Sequence, residues 1–226
     1  MSDLEDVLTS IAKVDIFLKD LYVGDDKALQ SALDRIDEKG FPPASVSAAQ
    51  GKFLHLLAKL VNARNILEIG TLGGYSTIAM ARAVGAGGRV ITLEFEPAHA
   101  EIAQESIEQA GLADIVDLRV GAALDSLPKI AEEGLPPFDL VFIDADKENN
   151  VAYIDWAVKL SRSGAAVVVD NIIWNGAILD EASEDGSATG ARAALLALSA
   201  DDRLDTTVLQ TVCWKGWDGF ALAVVK

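Results

Sequence analysis

The sequence contains a single cysteine, Cys213, among its 226 residues. An intramolecular disulfide is therefore excluded, which is typical of proteins from a reducing compartment, and we expect a cytoplasmic location. The two histidines, His55 and His99, have no Cys or His partners at the spacing of a zinc site. We interpret both histidines as ordinary surface or packing residues.

Basic residues are also few. The 19 Lys and Arg are outnumbered by 35 Asp and Glu, which gives a formal net charge of -16. Such a chain repels nucleic acid and anionic lipid. The sequence has no uncharged apolar stretch long enough to span a bilayer, and its acidic beginning lacks the apolar core of a signal peptide. We therefore expect neither nucleic acid nor a membrane as a partner.

What the sequence does have is an alternation of short apolar runs with helix-like stretches. The runs lie at residues 66–69, 90–93, 116–120, 140–143 and 165–169. Continuous apolar strands that alternate with helices predict a parallel sheet covered on both faces. Two further strand-like runs, separated only by residues 215–218, predict an antiparallel hairpin after the five parallel strands.

The regions around this unit are less regular. The first forty residues are predicted to be helical, with an apolar stripe formed by Leu4, Val7, Leu8, Ile11 and Val14. The polar, small-residue segment "EASEDGSATG", residues 181–190, predicts a mobile loop.

Polar side chains stand where the strands stop. Gly70 ends the first strand, Glu94 the second, Asp144 the fourth, and Asp170 with Asn171 the fifth. Parallel strands of an open sheet end at the same edge, and ligands bind in the crevice there. Residues far apart in the sequence are thus expected to form one site.

The glycine-rich turn "LEIGTLGGYS", residues 67–76, joins the first strand to a helix. Its glycines allow the backbone to approach a ligand closely, although a tight turn without a ligand gives the same pattern. Glu94 favours a ligand, because an acid at this position accepts hydrogen bonds from ribose hydroxyls. The dinucleotide motif G-x-G-x-x-G fails at Leu72, and no P-loop motif is present. A nucleoside-bearing cofactor other than NAD is therefore indicated.

The second half of the expected site consists of Asp144, Asp170 and Asn171. Carboxylate and amide oxygens without His or Cys suit Mg²⁺, Ca²⁺ or Mn²⁺. The alternative is that the acids cap following helices. Capping explains Asp170 and Asn171 poorly, because no clear helix follows them.

These motifs, with "VGAALDSLP", "FIDADKENN" and "VVVDNIIWNG", resemble those of the class I S-adenosylmethionine-dependent O-methyltransferases of the catechol and caffeoyl-CoA group. The resemblance covers residues from about 46 onward. It implies a Rossmann-like methyltransferase domain at 46–226, preceded by a helical extension at 1–45 that serves as a substrate cap or dimer contact. It also implies a homodimer.

The resemblance also implies roles for single residues. Those expected to bind or border S-adenosylmethionine are Val46, Glu68, Gly70, Thr71, Ser76, Glu94, Ala123 and Asp144. Asp144, Asp170 and Asn171 match the ligands of a divalent cation, most simply Mg²⁺, and Lys147 matches the catalytic lysine. Asp146 receives no role beyond a charge at a helix start.

The resulting hypothesis is methyl transfer to an aromatic vicinal diol of catechol or hydroxycinnamoyl type, with Lys147 taking the proton or stabilising the phenolate. Trp174 is either a wall for that acceptor or a packing residue, and Trp214 and Trp217 are expected near a substrate mouth or a partner subunit. Two alternatives stay open: a nicotinamide-dependent oxidoreductase, and a binding protein that has kept the fold without the chemistry. Binding of S-adenosylhomocysteine (SAH) rather than NAD separates the first of these from a methyltransferase.

Overall fold

A computed structural model describes residues 2–85 and 87–226, with the side chains of residues 2–5, including Leu4 of the predicted stripe, outside the description. The helices are α1 (Ser2–Tyr22), α2 (Lys27–Glu38), α3 (Ala48–Leu60), α4 (Tyr75–Val84), α5 (Pro97–Gln109), α6 (Ala123–Glu132), α7 (Asn150–Leu160) and α8 (Gly186–Ala200). The strands are β1 (Asn65–Ile69), β2 (Arg89–Glu94), β3 (Val116–Val120), β4 (Phe138–Ile143), β5 (Ser161–Asp170), β6 (Leu204–Cys213) and β7 (Gly216–Val225). One 3-10 turn lies at Lys147–Asn149, and two short 3-10 segments separated by a kink at Asn175 and Gly176 lie at Trp174–Leu179.

All seven strands form one sheet in the order β3-β2-β1-β4-β5-β7-β6. The first five are parallel, and β7 is antiparallel to both of its neighbours. The predicted five parallel strands and terminal hairpin are therefore confirmed. Strand β7 begins three residues earlier than predicted: Cys213 already pairs with Gly216, so the turn between β6 and β7 consists of two residues.

The core consists of two hydrophobic clusters, one on each face of the sheet. Alternate residues of β1 divide between them, with Ile66 on the face covered by α2 to α5 and Leu67 on the face covered by α6 to α8. Because successive side chains of a strand point to opposite faces, a strand buried on both sides needs an unbroken apolar run. This is why the parallel strands are readable in the sequence.

Helix α2 contributes to the same core as the sheet. Its Leu29 and Ala32 belong to the cluster that contains Ile66, and its Ile36 is also buried. The helical character predicted for the first forty residues is confirmed over α1 and α2. The domain boundary at residue 45 stays a prediction.

One segment differs from its prediction. Residues 181–190 were expected to form a loop, but Gly186–Gly190 begin α8, a helix that the sequence analysis missed. Asp185 caps this helix by accepting hydrogen bonds from the backbone N–H groups of Ser187 and Ala188. The prediction was wrong here because a capping acid followed by small residues has the composition of a loop.

Over residues 2–85 and 87–226, which the structure describes, no helix is long and apolar enough to cross a membrane.

Candidate active site

A cavity of about 660 Å³ opens at the carboxyl edge of the parallel strands. Most of the predicted site residues line it: Val46, Gly70, Thr71, Ser76, Glu94, Ala123, Asp144, Lys147 and Asn171. Glu68 and Asp170 are not among the lining residues and are buried instead. The sheet thus gathers both halves of the expected site at one edge, as parallel strands require.

The glycine-rich turn lies against the end of β4. Gly70 has a φ of +97°, and a Cβ added there would overlap the backbone carbonyl oxygen of Asp144. Only glycine permits this approach. Gly73 is needed for packing instead. A Cβ there would lie 2.7 Å from Cγ1 of Ile36, so the absence of a side chain allows α2, rather than a ligand, to pack against the turn.

Glu94 holds the turn in place. Its Oε2 accepts hydrogen bonds from the backbone N–H groups of Thr71 at 3.0 Å and Leu72 at 2.8 Å, and its Oε1 accepts from Glu96 N–H at 2.9 Å. A carboxylate has about four acceptor positions. Three of these positions are used by the backbone, and the ring of His99 lies 3.4 Å from Oε1 at the cavity side.

Glu68 lies one layer behind the cavity. It belongs to the sheet face covered by α4, where Ser76 Oγ donates to its Oε1 at 2.6 Å, and where Thr77 and Thr92 donate to its Oε2. The side chain is fully buried, and this burial raises the pKa of Glu68 to about 7 although the three hydroxyl donors lower it. Glu68 therefore reaches the cavity through Ser76 rather than by lining it.

Lys147 and Asp144 form the charged wall of the cavity. Lys147 Nζ donates to Asp144 Oδ1 at 3.1 Å, and the lysine is 5% exposed. The 3-10 turn at Lys147–Asn149 places the ammonium beside the end of β4. A buried ammonium that is paired with a single carboxylate oxygen is positioned to exchange a proton with a group in the cavity.

Asp170 and Asn171 follow β5, next to Asp144. Ile143 pairs with Val169 in the sheet, so the two acids leave neighbouring strands at the same level. Burial, reinforced by the negative charge of Asp144, raises the pKa of Asp170 well above its usual range. Gln50 Nε2 lies 3.5 Å from Asp170 Oδ1, a long contact from α3. Two acids that share the ammonium of Lys147 thus lie beside the amide of Asn171.

This donor set is small. Within the described part of the chain, no three His, Cys, Asp or Glu side chains are placed to hold a metal ion together. The predicted set reaches three donors only with the side-chain oxygen of Asn171. Two carboxylates and one amide leave positions open for water or substrate, which suits Mg²⁺ better than a closed structural site.

Three residues of the cavity were missed or misread from the sequence. His99 packs edge-on against Phe41 but also lines the cavity, 3.4 Å from Glu94 Oε1. Tyr153 lines it too, and its hydroxyl donates to Asp146. Asp146 makes no side-chain cap bond, so its charge holds Tyr153 rather than a helix start. Asp146 lies before the 3-10 turn and Tyr153 lies in α7, so no helical spacing in the sequence signalled this pair.

Trp174 also lines the cavity, close to Asn171 in sequence. A second cavity of about 550 Å³ lies under α1 and meets the first at Ser45, Val46 and Tyr75. Trp214 lines this second cavity. The two indoles thus border the two cavities.

A family model described as O-methyltransferase matches residues 22–224. The chain belongs to the O-methyltransferase family. The family and the activity class expected from the sequence are confirmed, and with them an enzyme rather than a binding protein or an oxidoreductase.

Curated relatives agree with this assignment. A protein of Mycobacterium tuberculosis named catechol O-methyltransferase is 56% identical over 94% of this chain and 95% of its own length. A catechol O-methyltransferase of Niastella koreensis is 51% identical over 94% and 96%. Caffeoyl-CoA O-methyltransferases, such as one from Eucalyptus globulus at 38% identity over 60% of this chain, are more distant.

Solved structures confirm the Rossmann-like methyltransferase fold of this O-methyltransferase. An O-methyltransferase from Bacillus cereus in complex with SAH superposes with a TM-score of 0.94 at 47% identity, covering 97% of this chain and 100% of the other. The O-methyltransferase TomG from Streptomyces achromogenes in complex with SAM gives a TM-score of 0.94 at 45% identity, with 97% and 98% covered.

Proposed function

We propose that this O-methyltransferase moves a methyl group from S-adenosylmethionine to one hydroxyl of an aromatic vicinal diol, and that it needs a divalent cation. The observation that carries the proposal is that Asp144, Lys147 and Asn171 line the same cavity as the glycine-rich turn. A cofactor site and a proton-handling site thereby face the same space.

The charge of the cavity supports S-adenosylmethionine as the cofactor. Glu94, Glu96, Asp144 and Asp146 line it, against the single ammonium of Lys147. S-adenosylmethionine carries a positive sulfonium and an ammonium, whereas a nicotinamide dinucleotide brings a negative pyrophosphate. SAH and SAM are bound in the structures of the Bacillus cereus and Streptomyces achromogenes relatives. S-adenosylmethionine supplies the methyl group as a sulfonium substituent.

The donor set supports a divalent cation. Asp144 and Asp170 are close enough for the charge of one to raise the pKa of the other. Buried like charges are costly unless a cation compensates them. Asp144, Asp170 and Asn171 are the residues that would hold the ion. When bound, a divalent cation lowers the pKa of a neighbouring hydroxyl.

In this proposal, different residues of the chain handle the proton and align the cofactor. As a neutral amine, Lys147 Nζ would accept the proton of the acceptor hydroxyl; as an ammonium, it would instead stabilise the oxygen anion left when the proton goes to solvent. In both cases Asp144 orients the nitrogen through the 3.1 Å contact. The turn from Gly70 to Ser76, fixed by Glu94 and Glu68, holds the cofactor in line with the acceptor. Most of the acceleration comes from this alignment.

Two observations support an aromatic vicinal diol as the methyl acceptor: the indole of Trp174 in the cavity lining and the names of the curated relatives. Trp174 offers an indole beside Asn171, which suits a flat aromatic ring. The names of the curated relatives point to catechol and caffeoyl-CoA acceptors. An aromatic vicinal diol is the chemistry that these acceptors share.

The test is methyl transfer from S-adenosylmethionine to a panel of aromatic vicinal diols, with and without EDTA. We expect activity that EDTA abolishes and Mg²⁺ restores. Activity indifferent to EDTA contradicts the cation. SAH binding by calorimetry without methylation of any diol would keep the cofactor and refute the acceptor class.

A homodimer and a cytoplasmic location complete the proposal. The homodimer is supported by the exposed apolar side chains of α1, which include Phe17 and Leu21.

A further inference from the structure

The segment that follows β5 has an unusual backbone. Asn171, Trp174 and Asn175 have φ angles of +53°, +51° and +51°, and Gly176 has +82°. Asn and Gly adopt this left-handed conformation readily, but a bulky residue such as Trp174 rarely does so without support from outside the segment. Residues 171–176, the 171–176 loop, supply Asn171 and Trp174 to the cavity. Whatever supports this loop therefore also places two residues of the site.

The support comes from the start of β7. Asp218 Oδ1 accepts hydrogen bonds from the backbone N–H groups of Ile173 at 3.0 Å, Trp174 at 3.1 Å and Gly219 at 2.9 Å. The regular pairing of β5 with β7 ends at Asp170 and Phe220, followed by one bond from Ile172 N–H to the Gly219 carbonyl. The carboxylate of Asp218 thus accepts the next two amides, where the strand ladder no longer reaches.

The rest of the loop is held by neighbouring elements. The indole N–H of Trp174 donates to Asp185 Oδ2 at 2.8 Å, while the other oxygen of Asp185 caps α8. A Cβ on Gly176 would lie 2.9 Å from Cζ3 of Trp217, so this indole packs directly on the loop. These contacts involve a side chain or the end of the loop, whereas Asp218 binds the main chain of Ile173 and Trp174. The positions of the Asn171 and Trp174 side chains depend on that stretch of main chain.

We infer that Asp218 is a positioning residue for the acceptor half of the active site. It is not among the residues that line the cavity. It acts through the backbone of Ile173 and Trp174, and so sets where Trp174 and Asn171 stand. Its part in acceptor binding rests on the proposed function, whereas its hold on the loop does not.

The hold on the loop is tested by hydrogen–deuterium exchange and mass spectrometry on the ligand-free protein. Asp218→Ala removes the acceptor, so we expect exchange in the 171–176 peptide to become at least about tenfold faster, with the central strands unchanged. Asp218→Asn keeps a side-chain oxygen and should retain slow exchange. Unchanged exchange in Asp218→Ala overturns the inference.

Asp180→Ala is the matched control. Asp180 also accepts a bond from one backbone N–H, that of Ala182, but does not touch the 171–176 loop. The same chemical change there should leave exchange in 171–176 as in the wild type. Equal acceleration by both variants would mean general loosening and would also overturn the inference.

The functional part is tested on a catechol with one ring substituent, which has two distinguishable hydroxyls. We expect Asp218→Ala to raise the acceptor KM about tenfold and to change the ratio of the two monomethyl products, with the SAH Kd unchanged. Asp218→Asn should restore both values. A purely structural role would weaken SAH binding as well and leave the ratio as it was.

Two outcomes separate this inference from the proposed function. A wild-type enzyme that binds SAH but methylates no diol refutes the proposed acceptor, and the exchange experiment still judges Asp218. A wild type that methylates diols, with an Asp218→Ala variant of the same KM and product ratio, refutes the positioning role alone.

Discussion

Under the proposed function, Lys147 takes the proton of the acceptor hydroxyl or stabilises the resulting oxygen anion. Its Nζ contacts Asp144, and its stem is buried. We expect Lys147→Ala to lower kcat by about 10²- to 10⁴-fold, the usual contribution of a positioned acid or base. The SAH Kd, measured by calorimetry, should change by less than about threefold, because the turn proposed to hold the cofactor does not include the lysine.

The matched control is Lys159→Ala. Lys159 is also paired with one carboxylate, Asp155, but its side chain is 52% exposed and lies outside the cavity. It should retain wild-type kcat. Full activity in Lys147→Ala would remove this residue from the mechanism.

Glu68 makes the stability of the ligand-free protein depend on pH. Its folded pKa of about 7 lies above the ordinary value of 4.5, so its contribution is complete below pH 4.5 and is lost as the pH rises through 7. We expect the free energy of unfolding of the wild type, relative to Glu68→Gln, to fall by about 3 kcal/mol across this window. Urea unfolding in EDTA between pH 4.5 and 8 measures it, and parallel curves would contradict the shift.

The same residue marks a limit of sequence reasoning. The strand ends were readable, so Glu68, Asp144 and Asp170 could be assigned to one edge. The sequence does not say how far a helix covers each face there. Glu68 shares its face with Ile66 and lies under Ser76 of α4, so a residue expected at the cavity surface is found behind it. Likewise, the bond between Tyr153 and Asp146 depends on side-chain directions that no motif contains.

At the scale of elements, α8 supports the backbone that carries Lys147. A Cβ on Gly190 would overlap the carbonyl of Lys147. In an isolated helix, Gly→Ala stabilises by about 1 kcal/mol. Here we expect Gly190→Ala to destabilise by about 1–3 kcal/mol through overpacking and to lower kcat, because the 3-10 turn must move. Denaturant unfolding and steady-state kinetics test both effects.

Gly186→Ala is the comparison within the same helix. Its added Cβ would meet Oε1 of Glu148, the far end of a flexible side chain that can turn away. Stability and kcat should therefore stay near the wild-type values. A Gly190→Ala variant as stable as Gly186→Ala would contradict the prediction, because it would show that the added methyl group fits between α8 and the backbone of Lys147.

The elements that could be predicted were those whose burial produces a recognisable pattern of apolar residues in the sequence. Parallel strands buried on both faces gave continuous apolar runs, and the hairpin followed from its short link. Helix α8 was not predicted because the residues of its first turn are small and mostly polar. In addition, it packs closely against the backbone of Lys147, so glycine stands at residue 190 where a helix usually has a large apolar residue. The cap at Asp185 was the available signal, and a cap alone does not distinguish a helix from a turn.

For the molecule as a whole, the exposed apolar side chains of α1 are the reason that we expect a homodimer. Phe17, Leu21 and Tyr22 are 61%, 58% and 68% exposed, an apolar surface that a monomer seldom leaves in water. We expect light scattering to give twice the 23.9 kDa of one chain. Phe17→Glu should shift the mass toward the monomer, whereas Leu196→Glu, at a 58% exposed leucine of α8, should not. A monomeric wild type would contradict the proposal.

The position of β7 between β5 and β6 has a consequence for synthesis on the ribosome. The residues that shape the cofactor half, from Val46 to Asp144, emerge well before β7, and their strands can pair in the order of their appearance. Asp218 emerges only after β6, so the 171–176 loop has no carboxylate to accept its amides until then. A nascent chain should therefore become able to retain cofactor before it can hold an acceptor, and SAH added to stalled chains of increasing length would reveal that order.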